Sequence, residues 1–202
     1  YIRKCANTLC MLRHLIAERE KDLPPSTIGK LITIAEEGKG ILSLGAGELD
    51  FAAPPRVVAA AVRALRKGET HYSTPQGRED LREALSKKLW KLNRIRASPE
   101  EIIVTAGATE GLLLSLLCTV DPGEGVLVPD PGFLAFKHAV EVLNGMPLSF
   151  PLRQEQGFRY RTEDLEKAII PEKTKVLIIN SPSNPTGTVL RKGDLEEIAD
   201  FA

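Results

Sequence analysis

The stretch IIVTAGATEGLLLSLLCTVDPGEGVLVPDPGF, residues 102–133, decides the fold class of this chain. Its first four residues are a continuous β-branched run, which is typical of a strand that is covered on both faces. An apolar segment of helical length follows at 108–120, and we expect it to be a buried helix. The turn DPGEG then leads to a second apolar run, VLVP at 126–129. Strand, helix and strand in this order indicate an α/β unit with parallel strands.

The alternation continues to the last residue. A helical pattern at 133–145 is followed by a strand at 147–152, a helix for which Thr162 is the expected N-cap, a strand at 175–182 and a last helix at 193–202. Towards the beginning, amphipathic patterns predict helices at 26–37, 54–68 and 78–92, and a short strand at 41–44. We therefore predict an α/β fold with a largely parallel sheet.

Composition excludes several classes of function. The 202 residues carry 27 basic and 27 acidic side chains, and this balance gives no indication of a nucleic-acid or anionic-membrane surface. The apolar runs are too short for a membrane-spanning helix. Three cysteines and three histidines show neither a disulfide framework nor a metal-ligand spacing. We expect a protein of the reducing cytoplasm with no metal site and no nucleic-acid or membrane partner.

Three predicted strands end in unusual loops. VTAGATEG at 104–111 runs through small residues into a helix, whose first N–H groups could bind an anion. VPDPGF at 128–133 ends on an aromatic ring that could stack on a flat ligand or belong to the core. NSPSNPTG at 180–187 contains Asn184 before Pro185, a peptide bond that we expect to be cis. Ligands of parallel α/β sheets bind beyond the carboxyl ends of the strands, so the three loops together predict a site for a flat heterocycle that bears a phosphate.

The order and spacing of five motifs resemble the class I and II aminotransferases, which are fold-type-I enzymes that use pyridoxal 5′-phosphate. The motifs are LSLGAGELDF (42–51), THYSTPQGREDLREAL (70–85), EEIIVTAGATEGL (100–112), VLVPDPGF (126–133) and NSPSNPTGTV (180–189). The resemblance covers residues 24–202. It implies a three-layer α/β/α fold for an incomplete large domain at 54–202. It also implies a small-domain segment at 24–53, and leaves 1–23 as an unassigned extension.

The resemblance also implies roles for residues of those motifs. Gly107, Ala108 and Thr109 would hold the cofactor phosphate. Phe133 would stack on the pyridine ring, and Asn184 would hydrogen-bond the oxygen of the ring hydroxyl. Gly47 and Asn184 would contact the amino-acid substrate. Tyr72 would reach the phosphate of the cofactor that is bound to a neighbouring subunit, and the resemblance therefore implies a homodimer.

The family's Schiff-base lysine and its partners lie after NPTG, so the resemblance implies that they fall beyond residue 202. No lysine present, including Lys173, Lys175 and Lys192, stands in a matching motif. We therefore expect the complete protein to be an aminotransferase and the chain as given to be inactive. The family pairs the first large-domain strand, here 102–105, with a strand from the remaining half. We thus expect the isolated chain to be unstable or to aggregate.

Other functions share these motifs. A carbon–sulfur lyase or an enzyme of the cyclopropane-carboxylate synthase type would use the same cofactor loops. A pyridoxal-phosphate-binding transcription regulator would need a DNA-binding domain, for which the residues before 24 are too few. A non-catalytic remnant of the fold is the last alternative.

Overall fold

The computed structural model describes residues 49–202 and six residues before them, Gly29, Thr33, Ile34, Glu37, Gly38 and Gly47. The predicted strand at 41–44 and the predicted extension at 1–23 lie outside the described residues. The described residues form two compact units, one of Thr105–Ala202 and one of the described residues up to Val104. The predicted boundary at 53/54 stays a prediction, because few of the residues before it are described.

The unit that ends at Val104 is helical. Helix α1 spans Pro55–Arg66 and α2 spans Glu79–Lys88, and α2 continues into a π-helical turn at Leu89–Asn93. Proline near the start of α1 fits a position whose N–H has no helical partner. Ser98 and Glu101 form a capping box around a short 3-10 helix, Pro99–Glu101, in which the Ser98 N–H donates to Glu101 Oε2 over 2.8 Å.

The unit that begins at Thr105 alternates helices and strands. Its elements are α3 (Ala108–Thr119), β1 (Gly125–Asp130), α4 (Leu134–Val142), β2 (Met146–Pro151), a 3-10 turn (Gln154–Gln156), α5 (Thr162–Ala168), β3 (Thr174–Leu177) and α6 (Lys192–Phe201). The three strands form a parallel sheet in the order β2-β1-β3. The predicted α/β fold with a parallel sheet is confirmed.

Two hydrophobic clusters cover the two faces of this sheet. Along β1, Val126 and Val128 point into one cluster and Leu127 into the other, as the two-residue period of a strand requires. Helices α3 and α4 contribute Leu116 and Val140 to the first cluster. Helices α5 and α6 contribute to the second, which also contains Phe150 and Tyr160. The unit therefore has three layers, α/β/α, as the resemblance implied.

Three local predictions are wrong. Residues 102–105 form no strand, because no described strand lies beside them, and the Val104 N–H donates instead to the Gln76 carbonyl over 2.9 Å. The helix predicted to be buried, α3, buries only Leu116, and 54% of Leu117 is exposed. Thr162 does not cap α5 but begins it, because its hydroxyl donates to Glu197 Oε1.

No helix in the described part of the chain is long and apolar enough to cross a membrane.

Candidate functional site

Three of the predicted site segments lie at one edge of the sheet in the unit Thr105–Ala202. Strands β1 and β3 are parallel neighbours, so the segments after Asp130 and Leu177 leave the sheet at the same edge. Leu116 of α3 and Val120, just after it, belong to the same hydrophobic cluster as Val126 and Val128 of β1. Because only a short turn joins the end of α3 to the start of β1, we infer that α3 runs antiparallel to β1. The start of α3 therefore lies towards the carboxyl end of β1. Gly107, Phe133 and Asn184 are brought to this edge.

Gly107 shapes the start of α3 by its conformation. Its φ of 84° lies in the region that side chains other than hydrogen disfavour, and an added Cβ would meet nothing within 4 Å. Its own N–H donates to the Thr105 carbonyl over 2.8 Å, and the Thr105 hydroxyl donates to the Gly107 carbonyl over 2.9 Å. Gly107 therefore closes a tight turn, and the space on the side where a Cβ would lie is open.

The next two residues supply the donors. Ala108 and Thr109 are the first residues of α3 and are exposed, and their N–H groups make no hydrogen bond to the described residues. Glu110 Oε2 accepts the Ala106 N–H at the same helix start. The carboxylate of Glu110 brings a negative charge to this turn, which opposes an anion. Two free N–H groups and the positive end of the helix dipole favour one.

Phe133 sits just after the turn that follows β1. It is the N-cap residue of α4, and its half-buried ring meets the Phe136 ring edge-on, with 5.7 Å between centroids and 87° between planes. The Asp130–Pro131 peptide before it is cis. Phe136 packs against the cluster beneath, so Phe133 lies at the border between the core and the edge of the sheet.

The loop after β3 carries Asn184. The predicted cis peptide between Asn184 and Pro185 is present, and a second one joins Ser181 and Pro182. Asn184 is exposed, and its side-chain amide forms no hydrogen bond to the part of the chain that the structure describes. A planar amide with one donor and one acceptor is thus available to a ligand at this edge.

Asn180 and Tyr160 are two polar residues of this region to which the sequence reasoning gave no role. Asn180 Oδ1 accepts the Asn184 N–H over 2.8 Å, and the Asn180 N–H donates to the Tyr160 hydroxyl over 3.2 Å. Burial raises the pKa of the Tyr160 phenol, so its hydroxyl stays protonated at neutral pH. The sequence feature that could have indicated Asn180 is its position four residues before Asn184, within the segment 175–182 that was predicted as a strand.

Tyr72 and Gly47 belong to the other compact unit, and both are exposed. Tyr72 lies in a loop whose two ends are joined by Arg78, which contacts Glu69 over 2.6 Å. Within the loop the Thr74 hydroxyl donates to the Gly77 carbonyl over 2.7 Å. The tyrosine ring projects fully into solvent from this closed loop.

The chemistry of the edge suits a phosphorylated heterocycle and not a metal. Free helix N–H groups, an aromatic ring and a free amide match the phosphate, ring and ring oxygen of pyridoxal phosphate. Among the described residues no group of three His, Cys, Asp or Glu side chains could hold a metal ion.

Comparison with known proteins identifies the family of this chain. Residues 39–202 match the family model for aminotransferase class I and II. An aspartate aminotransferase of Pyrococcus abyssi is 48% identical over 179 residues, which are 88% of this chain and 46% of that protein. An aromatic-amino-acid aminotransferase 2 of Thermococcus litoralis is 44% identical over 188 residues, 93% of this chain and 48% of that protein.

Solved structures give the same picture. An aspartate aminotransferase from Thermus thermophilus, solved with maleate, matches with a TM-score of 0.86 at 36% identity. The match covers 93% of this chain and 50% of the Thermus chain. An aromatic aminotransferase from Pyrococcus horikoshii matches with a TM-score of 0.77 at 45% identity, over 85% of this chain and 46% of its own. The chain spans about half the length of the relatives it matches.

Proposed function

Because the chain belongs to the class I and II aminotransferase family, we propose that the complete protein transfers the amino group of an amino acid to a 2-oxo acid with pyridoxal 5′-phosphate. By the complete protein we mean the product of the whole reading frame that encodes these residues. One observation carries the proposal most strongly: the open turn at Gly107, the Phe133 ring and the free Asn184 amide lie at one edge of the sheet. Each of the three suits a different part of the cofactor.

We assign the phosphate to the start of α3. The N–H groups of Ala108 and Thr109 would donate to its oxygens, with the Thr109 hydroxyl as a further donor. Gly107 would contribute its left-handed conformation, since its own N–H already donates to Thr105. The negative charge of Glu110 lies near the same turn, so a cationic group from elsewhere in the complete protein would balance the charge of the phosphate.

We assign the ring to Phe133 and Asn184. Phe133 would cover one face of the pyridine, and the Asn184 amide would donate to the oxygen of the ring hydroxyl. When bound, the pyridine ring accepts electrons from the amino acid while the bonds at its Cα change. The residues of this chain hold and orient the ring for that chemistry. We assign no catalytic residue to the chain, and the lysine that the reaction needs would come from the rest of the complete protein.

We propose that the complete protein is a homodimer in which Tyr72 reaches the phosphate of the second subunit's cofactor. The full exposure of Tyr72 on a loop closed by Arg78 and Glu69 supports this, since the ring is free to contact another chain. Gly47, which is exposed and has open space around it, would lie against the substrate carboxylate together with Asn184. Cytoplasmic localisation belongs to the same proposal, and the free thiol of Cys118 agrees with it.

The substrates would be amino acids and 2-oxo acids. Relatives named aspartate and aromatic-amino-acid aminotransferases support these two donor classes as the first to test. A carbon–sulfur lyase is the alternative with the same cofactor loops. It would cleave a sulfur-containing amino acid with water to a thiol, ammonia and a 2-oxo acid, without needing an amino acceptor.

The deciding experiment uses the complete protein with pyridoxal phosphate, an amino donor and 2-oxoglutarate. We expect equimolar formation of a 2-oxo acid from the donor and of glutamate from the acceptor. Ammonia release that does not depend on 2-oxoglutarate would replace the aminotransferase by the lyase. No product and no cofactor binding would overturn the proposal as a whole.

A variant of Asn184 links the proposal to this chain. Asn184→Ala should weaken pyridoxal-phosphate binding about tenfold, because one charge-assisted hydrogen bond to the ring oxygen is lost. Asn93→Ala is the matched control, since Asn93 is exposed and contacts only Lys88 in the described chain. Unchanged affinity in the Asn184 variant would remove this residue from the site.

A further inference from the structure

The orientation of the Asn184 side chain depends on how its backbone is held. The residue is exposed, and its side-chain amide contacts none of the described residues. The backbone N–H of Asn184 donates to Asn180 Oδ1 over 2.8 Å. A side chain that must meet one oxygen of a ligand needs a fixed backbone, since otherwise binding has to order it.

Asn180 connects that backbone to the core. The residue is half-buried, three residues after the end of β3, and its own N–H donates to the Tyr160 hydroxyl over 3.2 Å. Only 5% of Tyr160 is exposed, and its ring packs against Phe150 with 5.2 Å between centroids. Two hydrogen bonds thus join Asn184 to a side chain that belongs to the second hydrophobic cluster.

The other hydrogen bonds of the loop do not replace this connection. The Ser183 N–H donates to the Thr188 carbonyl, and the Gly187 N–H donates to the Ser183 carbonyl. Both bonds close the loop on itself. The Leu190 N–H donates to Ser181 Oγ over 2.9 Å and ties the end of the loop to its beginning. The Thr188 hydroxyl also donates to the Gly157 carbonyl over 3.4 Å, but that bond holds the far side of the loop. Among the described residues, the hydrogen bond that holds the Asn184 backbone is the one to Asn180 Oδ1.

We propose that Asn180, supported by Tyr160, is a positioning residue that holds Asn184 in the orientation needed to donate to the ring oxygen of pyridoxal phosphate. The proposal rests on the proposed function, because it assumes that Asn184 meets that oxygen. Asn180 touches no ligand in this scheme. It acts through the Asn184 backbone, and its removal should therefore affect one cofactor contact and leave the phosphate contacts of Ala108 and Thr109 unchanged.

The first test measures the hydrogen bond without any cofactor. In the complete protein, Asn180→Leu keeps a side chain of similar size and removes the acceptor, whereas Asn180→Asp keeps an acceptor oxygen. Amide hydrogen exchange at Asn184 should become about tenfold faster in the Leu variant, because a bond of ordinary strength is lost. It should stay near the wild-type rate in the Asp variant. Equal exchange in wild type and Leu variant would overturn the proposal.

The second test separates positioning from general damage to the site. Pyridoxamine 5′-phosphate binds without a covalent link, and its 3-deoxy analogue lacks the ring hydroxyl. Asn180→Leu should weaken pyridoxamine phosphate about tenfold, the equivalent of about 1.4 kcal/mol, and should leave the affinity for the 3-deoxy analogue unchanged. Equal weakening of both ligands would mean a merely structural role, and would overturn the proposal.

Tyr160→Phe extends the test one step further from the ligand. It removes the hydroxyl that accepts the Asn180 N–H and leaves the ring in the cluster. We expect Tyr160→Phe to weaken the binding of pyridoxamine phosphate by less than the tenfold expected for Asn180→Leu, and to leave the affinity for the 3-deoxy analogue unchanged. If the wild-type complete protein binds neither ligand, the proposed function fails. The exchange rates at Asn184 would still report whether Asn180 holds the loop.

Discussion

The two compact units differ in what they bury, although both contain amphipathic helices. Every buried hydrophobic side chain in the described part of the chain lies between Leu116 and Ile198, in the unit that begins at Thr105. Helix α1 of the other unit has a clear apolar stripe, but 50% of Val58 and 63% of Leu65 are exposed. A helical pattern therefore predicts which face of a helix is apolar. Whether that face is buried depends on a neighbouring element that packs against it.

The sheet provides the neighbour in one unit. Helices α3 to α6 each contribute a buried side chain to one of the two clusters, which also contain residues of the strands. In the other unit the one buried side chain described is Arg82, which donates to the carbonyls of Gly77 and Pro99. That unit is held by polar contacts to the backbone, and its apolar surface is free to contact additional protein. The following substitutions test this contrast.

Phe150→Ala should produce the largest effect. The ring is fully buried in β2 and packs against Tyr160, so its removal leaves a cavity and costs about 3–5 kcal/mol of the free energy of unfolding. Urea unfolding of the complete protein, in which the unfolded fraction is measured by pulse proteolysis, gives the change. A cost below about 1 kcal/mol would mean that the second cluster is not a packed core, and the contrast between the units would fail.

Gly77→Ala should cost less, about 2–4 kcal/mol, and it tests the backbone of the unit that ends at Val104. The residue has a φ of 96°, and an added Cβ would lie 2.7 Å from the Val104 side chain. Gly68→Ala is the matched control, because its φ is 76° but nothing lies within 4 Å. The control should cost about 1–2 kcal/mol. The difference between the two variants should shrink when Val104 is also changed to Gly, because both Cβ and Cγ2 of Val104 lie 2.7 Å from the added Cβ.

Equal costs for the Gly77 and Gly68 variants would show that the loop carrying Tyr72 does not pack against Val104. The Val104 N–H bond to the Gln76 carbonyl would then be open as well. Such a result would mean that the unit that ends at Val104 is less tightly packed than its hydrogen bonds indicate.

Val58→Ser should have the smallest effect, within about 0.5 kcal/mol in the 202-residue chain, because half of the side chain is already exposed. The same substitution in the complete protein is the comparison that sharpens the contrast. A cost of about 1–3 kcal/mol there would show that additional protein covers the α1 stripe. A large cost in the 202-residue chain itself would mean that copies of the chain already cover it.

The sequence predicted the elements with strong periodicity and clear end signals. Helix α1 begins where Pro54 and Pro55 allow it and stops before Gly68, and the capping box at Ser98 forms as the residue pattern requires. The cis peptide before Pro185 was also predictable, because that conformation is mostly restricted to bonds before proline. These features depend on residues close together in the chain.

The errors arose where a prediction needed a distant partner. Residues 102–105 have the composition of a buried strand, but a strand exists only when another strand accepts its hydrogen bonds. Leu117 has the character of a core residue, but no described element packs against its side of α3. The roles of Asn180 and Tyr160 were missed for the same reason, since twenty residues separate the two partners of that hydrogen bond.

The sequence by itself determined the α/β alternation, the parallel sheet and the motifs of the loops at Gly107, Phe133 and Asn184, because strand and helix periodicity and turn chemistry are local properties. Only the tertiary structure decided which apolar faces are buried, that the loops at Gly107, Phe133 and Asn184 share an edge, and that Asn184 is tied through Asn180 to a buried tyrosine. Burial and hydrogen bonding between distant residues depend on which surfaces the folded chain brings together.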